Sequence, residues 1–344
     1  MPERAPAPDS LPLPDLAQAL GRPPRVLVTG AGGPAAVCFL RGLGESCELF
    51  AADIDPNAVG LYLVDREHRW LLPRGDDPDF TGALLDLCTW LQIDVAVPTV
   101  DVEMVPLARE SAAFEEAGVR LLLSPAEALE NCLDKWRLAR ACEGAVRVPH
   151  TVLYEAGPGF TGEYPVVAKP RQGSGSRGIV LARGPEDLVP LPQDGSYLLQ
   201  EELPGAEYSV DVLARADGHV VAAVPRSREK TDSGIAVAGR VLDGPGLSKL
   251  AAGVVRTLGV RGIANVQVRE DRTGTPALLE INPRPPGGLS MTIAAGVHMP
   301  AWALADVLGL PVPDALPHRE LDVVRHWEDV LLPAGGLGEV GERA

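Results

Sequence analysis

Two short runs near residue 280 have the residue types of a metal site. Asn265-Val266-Gln267 and Glu280-Ile281-Asn282 flank the turn-like stretch Asp271 to Pro276. With Arg272 to Thr275 as a four-residue loop, Asp271 faces Pro276, Gln267 faces Glu280 and Asn265 faces Asn282. Directly opposed residues lie roughly 5 Å apart at Cβ, and alternate residues share a face. One carboxylate and three amides then point one way, while Val266, Val268, Leu279 and Ile281 point the other. Oxygen donors in this arrangement suit Mg²⁺ shared with phosphate oxygens and waters. A lone carboxylate binds Mg²⁺ weakly, so a nucleotide must complete the shell. Arg284, the next position on that face, is placed to grip a phosphoryl or carboxylate oxygen. A solvated polar sheet face explains any one of these residues, but it is strained as an explanation of Gln267, Glu280, Asn282 and Arg284 together.

Two glycine loops look alike and differ in context. Gly30-Ala31-Gly32, with Ala35 following, sits between a strand-like and a helix-like stretch, and Asp53 lies where a ribose-binding acid would stand. That reading is a nicotinamide dinucleotide site; the alternative is a tight turn that needs glycine for backbone reasons alone. Gly173-Ser174-Gly175-Ser176-Arg177-Gly178 lies instead between two strand-like runs, Val166 to Lys169 and Ile179 to Ala182. It is a hairpin tip, and glycine-rich hairpins can lay N–H groups over phosphates. A plain surface hairpin is the alternative. Kinase catalytic-loop sequences and a Walker A lysine motif are absent from the chain.

The elements that must position these residues fall into three stretches. Strands at 25–29, 49–53, 95–97 and 120–123 alternate with helical runs at 37–43, 80–91 and 112–118, which implies a parallel sheet covered on both faces. Ser124, Pro125 and Glu127 read as a capping box opening a helix or helix pair that runs to about Glu143. After Thr151 the pattern is antiparallel, with strands at 165–169, 178–183, 197–203, 207–215, 219–224, 262–269 and 277–282. Asp217-Gly218 forms a hairpin turn, and Ser248 to Leu258 a helix. Residues 1–24 and 336–344 read as tails.

Composition excludes several classes. The 344 residues carry 31 basic and 47 acidic side chains, a net charge of −16, which argues against a nucleic-acid-coating surface. Hydrophobic residues make up 46%, which excludes wholesale disorder, and no apolar run reaches the ~18 residues of a bilayer-spanning helix. Five cysteines without a CxxC pair read as reduced, buried thiols in a cytoplasm. Only four of the basic residues are lysines: 135, 169, 230 and 249. In a chain that otherwise uses arginine, each lysine is a candidate for a position that needs a compact point charge.

Taken in order, these pieces resemble the ATP-grasp superfamily, in particular single-unit enzymes similar to the large subunit of carbamoyl-phosphate synthetase. The resemblance runs from about Arg25 to His298. It is carried by the VLVTGAGGP and DVAVPTVDVE segments, Leu133-Asp134-Lys135 with Val148-Pro149, Val167-Ala168-Lys169-Pro170 with the 173–178 loop, Gln200-Glu201-Glu202-Leu203 with Glu207, and the two runs around Gln267 and Glu280. It implies an α/β ATP-grasp fold. A Rossmann-like leading domain spans 25–123, linker helices and a β-rich lid 124–202, and an antiparallel catalytic subdomain 203–335. It implies ATP as nucleotide and Mg²⁺ as metal, with Mn²⁺ an acceptable substitute. Lys135, Lys169, Gly173, Ser174, Gly175, Ser176 and Gly178 would hold phosphates, backbone groups of Glu201 and Leu203 the adenine, and Glu207 the ribose. Gln267, Glu280 and Asn282 would hold the metal, with Lys169 and Arg284 acting on the transferred phosphoryl group. Gln267 stands where many members carry Asp or Glu.

The implied reaction is ligation of a small carboxylate to an amine through an acyl phosphate; the alternatives are a small-molecule kinase, a nucleotide-binding regulator without turnover, and an NAD-dependent oxidoreductase. Arg226 and Arg228 lie where relatives place an acceptor-side loop, and Gly287 and Gly288 could line the same pocket; a solvated basic loop is an equal reading of the two arginines. Amino-acid-type substrates fit, no nucleic acid or membrane partner is expected, and a homodimer is left open. His150, His298, His318 and His326 show no ligand spacing and read as structural.

Overall fold

Val26 and Val28 pack on one side of the first strand and Leu27 on the other, all fully buried, so that strand needs cover on both faces. The computed structural model, which describes residues 11–156, 163–173, 177–232 and 235–341, supplies it. Strands β1 (Arg25–Thr29), β2 (Glu48–Asp53), β3 (Arg69–Leu71), β4 (Val95–Val97) and β5 (Arg120–Leu121) form a parallel sheet in the order β3-β2-β1-β4-β5. Helix α1 (Pro34–Leu43) lies on one face, and α2 (Phe80–Trp90), α3 (Asp101–Arg109) and α4 (Ser111–Glu116) on the other. Strand β3 and helix α3 extend the expected pattern. The first is three residues long, and the second carries Pro106 in its interior, a residue that reads as a helix boundary.

The first glycine loop is a packing device. Gly30 has a positive φ of 62°, and a Cβ there would stand 2.3 Å from Val100 Cγ2. Asp53, the candidate ribose acid of the dinucleotide reading, accepts the N–H of Gly32 (2.7 Å) and of Asp55 (3.0 Å). It closes its own turn, in keeping with the backbone reading of this loop.

At the carboxyl edge of this sheet Glu103 is only 6% exposed and accepts the Thr29 hydroxyl at 2.5 Å. Burial pushes its carboxyl up to about 7, with the Thr29 hydrogen bond pulling the other way. The native state therefore keeps a proton that the unfolded chain releases above about pH 4.5. Stability falls as pH rises from about 4.5 to 7, and the whole cost, about 3 kcal/mol, is present above that window. Glu103→Gln should stabilise the chain by about 2–3 kcal/mol at pH 8 and scarcely at pH 4.5. Denaturant titrations at the two pH values check this, and an equal shift at both would contradict it.

Helices α5 (Ala126–Leu133) and α6 (Lys135–Cys142) lead to a four-stranded antiparallel sheet. Its strands β6 (Thr151–Glu155), β7 (Val166–Pro170), β8 (Val180–Ala182) and β9 (Asp194–Glu201) stand in the order β6-β9-β7-β8. The capping-box expectation fails at Ser124. Its hydroxyl donates to Arg261 O and accepts from Arg261 N, both at 2.9 Å, so it ties the linker to a later segment and leaves α5 without a side-chain cap. Strands β7 and β8 pair as the expected hairpin, Val166 opposite Ala182 and Ala168 opposite Val180.

The third sheet contains β10 (Glu207–Ala214), β11 (Val220–Ser227), β12 (Lys230–Asp232), β13 (Ile235–Val241), β14 (Gly262–Glu270), β15 (Pro276–Asn282) and β16 (Leu321–Val324). Their order is β12-β13-β11-β10-β14-β15, with β16 paired to β13. Helix α7 (Pro245–Leu258) joins α5 and α6 on one face. Helices α8 (Leu289–Ala294) and α9 (Met299–Val307) share a core on the other face with α1 and the first sheet. That shared core fixes the first sheet against the catalytic-candidate strands. Both chain ends of the described region are tied in: Leu16 is buried in the same core, and Gly341 N donates to Arg69 O.

Candidate active site

The β14–β15 hairpin forms as the residue types require, with one adjustment. Gln267 stands opposite Glu280 and Asn265 opposite Asn282, but the register slips beyond Gln267, so that Val268 faces Leu278 and Glu270 faces Pro276. The loop is therefore Asp271 to Thr275, and Asp271 does not pair with Pro276. Leu279 is the extra residue of a bulge. It was expected to face the core; instead Leu278 takes the core position, at 2% exposure, while Leu279 and Glu280 both line a cleft of about 570 Å³.

That cleft lies between β7 and β9 on one side and β10, β14 and β15 on the other. Lys169, near the end of β7, reaches it while only 3% exposed. Burial lowers its ammonium to about 8; the carboxylate of Glu280 acts to raise it and the charge of Lys135 to lower it further. Lys135, the first residue of α6, donates from Nζ to Gly173 O at 2.7 Å, and its N–H donates to Arg171 O. The two lysines, Glu280, Gln267 and Gly173 thus share one cleft. Gly178, with a φ of 72°, stands at the base of β8 outside the lining, and Ser174, Gly175 and Ser176 lie outside the described residues.

At the other end of the cleft stand Glu201 and Leu203. The N–H of Glu201 donates to His150 O, and its carboxylate accepts Arg147 Nη2 at 3.0 Å and the N–H of His150 at 3.0 Å. Arg147 also reaches Asp271 Oδ2 at 3.2 Å. Of the Glu201 backbone groups, the carbonyl is left as the candidate for a base. Glu207, at the start of β10, pairs with Arg228 Nε at 2.9 Å, and Arg228 Nη1 donates to Ser209. Arg228, on the connection between β11 and β12, therefore lines the same cleft as Glu207.

Arg226 is a correction. It lies inside strand β11, not on a loop, and is 2% exposed. Its guanidinium is committed to fully buried Asp211, with Nη2–Oδ1 at 2.6 Å and Nε–Oδ2 at 3.1 Å. Asn265 Nδ2 donates to the same carboxylate at 2.7 Å, and so does Thr292. Asn265 keeps the face of Gln267, but its amide N–H is committed to Asp211. Gly287 and Gly288 sit on the loop after β15, away from the cleft lining. Gly287 O accepts Arg325 Nη1 at 2.7 Å, and a Cβ on Gly288 would stand 2.5 Å from Arg226 Nη1. Arg284 Nε is held by Asp101 Oδ1 at 2.6 Å.

Several positioning groups were not singled out from the sequence. Asp134 caps α6 by accepting from Trp136 and Arg137 N–H, and also binds Arg171 Nε at 2.7 Å. Burial works to raise its carboxyl, but the Arg171 guanidinium and the helix amides prevail and hold it below the usual range. An Asp just before a helical lysine is a readable cap signal; the Arg171 and Arg147 pairs join distant segments and leave none. Of the histidines, His298 accepts the Ala301 N–H at Nδ1 and bonds Gly42 O through Nε2, a packing role.

Residues 193–330, which run from β9 through Leu203, the β14–β15 hairpin and past Arg284, match the family described as ATP-grasp in the biosynthetic pathway with Ter operon. Residues 26–122, the first sheet and its helices, match the PylC-like N-terminal domain. Residues 193–330 are thus similar to an ATP-grasp family.

Solved structures share the fold. N5-carboxyaminoimidazole synthetase from Staphylococcus aureus, complexed with ADP, superposes with a TM-score of 0.70 at 16% identity, covering 86% of this chain and 80% of that one. An L-amino acid ligase from Bacillus licheniformis gives a TM-score of 0.62 at 18% identity, covering 83% and 74%. A D-alanine–D-alanine ligase from Thermotoga maritima is 30% identical over 125 residues, which is 35% of this chain and 41% of that enzyme. The chain thus spans about two fifths of the length of the curated relatives it matches. Among the described residues, no helix is long and apolar enough to cross a membrane.

Proposed function

We propose that this chain is an ATP- and Mg²⁺-dependent ligase that joins a small carboxylate to an amine, of amino-acid type, through an acyl phosphate. One observation carries the reading: Lys169, buried and electrostatically coupled to Glu280, shares a cleft with Lys135 and with Gln267 in register opposite Glu280. Cations and a carboxylate at such close quarters suit a polyphosphate better than any neutral ligand.

The donor set fits an oxygen-seeking divalent ion. Among the described residues, no three His, Cys, Asp or Glu side chains cluster as a metal site, so Glu280 would bind it with the amide oxygens of Gln267 and Asn282 and with phosphate oxygens. When bound, such an ion neutralises phosphate charge. The protein's own part is positioning and charge. Lys135 and Lys169 would hold phosphate oxygens, Glu207 the ribose hydroxyls once released from Arg228, and Leu203 with the Glu201 carbonyl the adenine. Arg284 would steady the transferred phosphoryl group beside the attacking carboxylate. The glycine-rich stretch 173–178 read from the sequence would exclude water, which otherwise hydrolyses the acyl phosphate. The amine then displaces phosphate and forms the amide. Residues 25–123 would complete the pocket from the far side. The five buried thiols support a reducing, cytoplasmic setting.

The test is ADP formation with ATP and MgCl₂ across a panel of amino acids and related carboxylates and amines, singly and in pairs, with mass spectrometry of the products. A product equal in mass to two panel members less water supports the ligase. A stable phosphorylated product would instead establish a kinase.

A further inference from the structure

Arg284 and Asp101 come from opposite ends of the molecule's topology. Arg284 follows β15 and stands two residues beyond Asn282 and four beyond Glu280. Asp101 opens α3 in the first sheet's layer, 183 residues earlier in the chain. Their side chains are 22% and 24% exposed, so the pair is partly withdrawn from water and worth more than a surface ion pair.

The Asp101 side of this contact is rigid. It follows a turn in which the buried Thr99 hydroxyl donates to Thr29 O at 2.8 Å. In the same turn, Val100 packs where Gly30 lacks a Cβ. The Arg284 side has a mobile four-bond stem but only one direction left. Asp101 takes Nε, and Nη1 leans on Pro285 O at 3.4 Å. A guanidinium held at Nε keeps its remaining N–H groups at the opposite end of the fork.

We infer that Asp101 is a positioning residue for the transfer step: it aims the Arg284 guanidinium at the reacting phosphoryl group and so makes turnover depend on how the first domain is seated. The inference rests on the ligase reading, in which Arg284 touches the transferred group. Misplacing such a group by about 1 Å costs about a hundredfold in rate. Asp101 acts through Arg284, which is assigned to the transferring phosphoryl group and not to adenine or ribose, so its loss should fall on kcat and leave the KM for ATP nearly unchanged.

The experiment measures kcat and the KM for ATP in the full chain for wild type, Asp101→Ala, Asp101→Asn and Asp101→Glu, with and without Arg284→Lys. Expected are a ten- to hundredfold fall in kcat for Asp101→Ala, a smaller fall for the isosteric Asp101→Asn, partial rescue by Asp101→Glu, and a KM for ATP within about twofold of wild type. In the Arg284→Lys background, Asp101→Ala should cost little more. A purely structural Asp101 would lower thermal stability and yield while folded enzyme kept its kcat, and that outcome overturns the inference. An equal loss with and without Arg284 also overturns it. If the wild-type chain binds ATP but forms no ADP with any substrate pair, the ligase reading itself fails, and the inference with it.

Discussion

Lys169→Met and Glu280→Gln should each lower ligation by about a thousandfold, the scale of losing one preorganised charge at a reacting centre. Their effects on stability should differ. Lys169 is almost wholly buried, and burial depresses its ammonium to about 8 from an ordinary 10.5. Below about pH 8 both states are protonated, and the native state bears the full cost of the buried charge, about 3 kcal/mol. Between about pH 8 and 10.5 the unfolded chain binds the extra proton, so wild-type stability rises with pH and the cost fades. Lys169→Met should therefore be more stable than wild type at pH 7, by an amount that shrinks towards pH 10, while turnover is lost. Loss of activity together with loss of stability would indicate a structural lysine. Glu280→Gln removes the carboxylate that favours the Lys169 charge, so the ammonium should become easier to deprotonate and ATP affinity should weaken at alkaline pH.

The second large effect is on folding. Asp211 is fully buried and accepts from Arg226, Asn265 and Thr292. Asp211→Ala leaves the Arg226 guanidinium buried without its counter-charge and strands two further donors. The expected cost is about 3–5 kcal/mol, read from the urea midpoint. The paired replacement Asp211→Leu with Arg226→Met should recover most of that loss, because two apolar side chains avoid the desolvation that the ion pair offsets. A single Asp211→Ala that costs under about 1 kcal/mol would mean that water reaches Arg226 and that the network does not anchor β14.

The parts of the molecule read correctly from sequence share a physical cause. Val26, Leu27 and Val28 form an unbroken apolar run, which only a sheet covered on both faces accommodates. Gln267 and Glu280 lie close enough in sequence for turn length to set their pairing. Strand and helix boundaries in these stretches fall within a few residues of expectation. What was not legible was set by tertiary context. The bulge at Leu279 adds one residue to one strand, which alternation alone does not reveal. Arg226 sits in a charged run after Pro225 and reads as loop, until Asp211, fifteen residues earlier, draws it into the sheet. Strands β12, β13 and β16 owe their existence to one another, Lys230 and Val324 both pairing with Ala238. Ser124 has the residue type of a cap but is taken by the Arg261 backbone. The Arg284–Asp101 pair spans two domains and carries no local signal.

The central claim is that ATP activates a carboxylate in this cleft. The most direct measurement follows isotopically labelled oxygen from the carboxylate of a productive substrate into the released phosphate, in the presence of ATP, MgCl₂ and the acceptor amine. An acyl-phosphate ligase must transfer one carboxylate oxygen to each phosphate it releases. That transfer, abolished in Lys169→Met, is the predicted result. Phosphate carrying no substrate oxygen, released at the rate of ADP formation, would contradict the account.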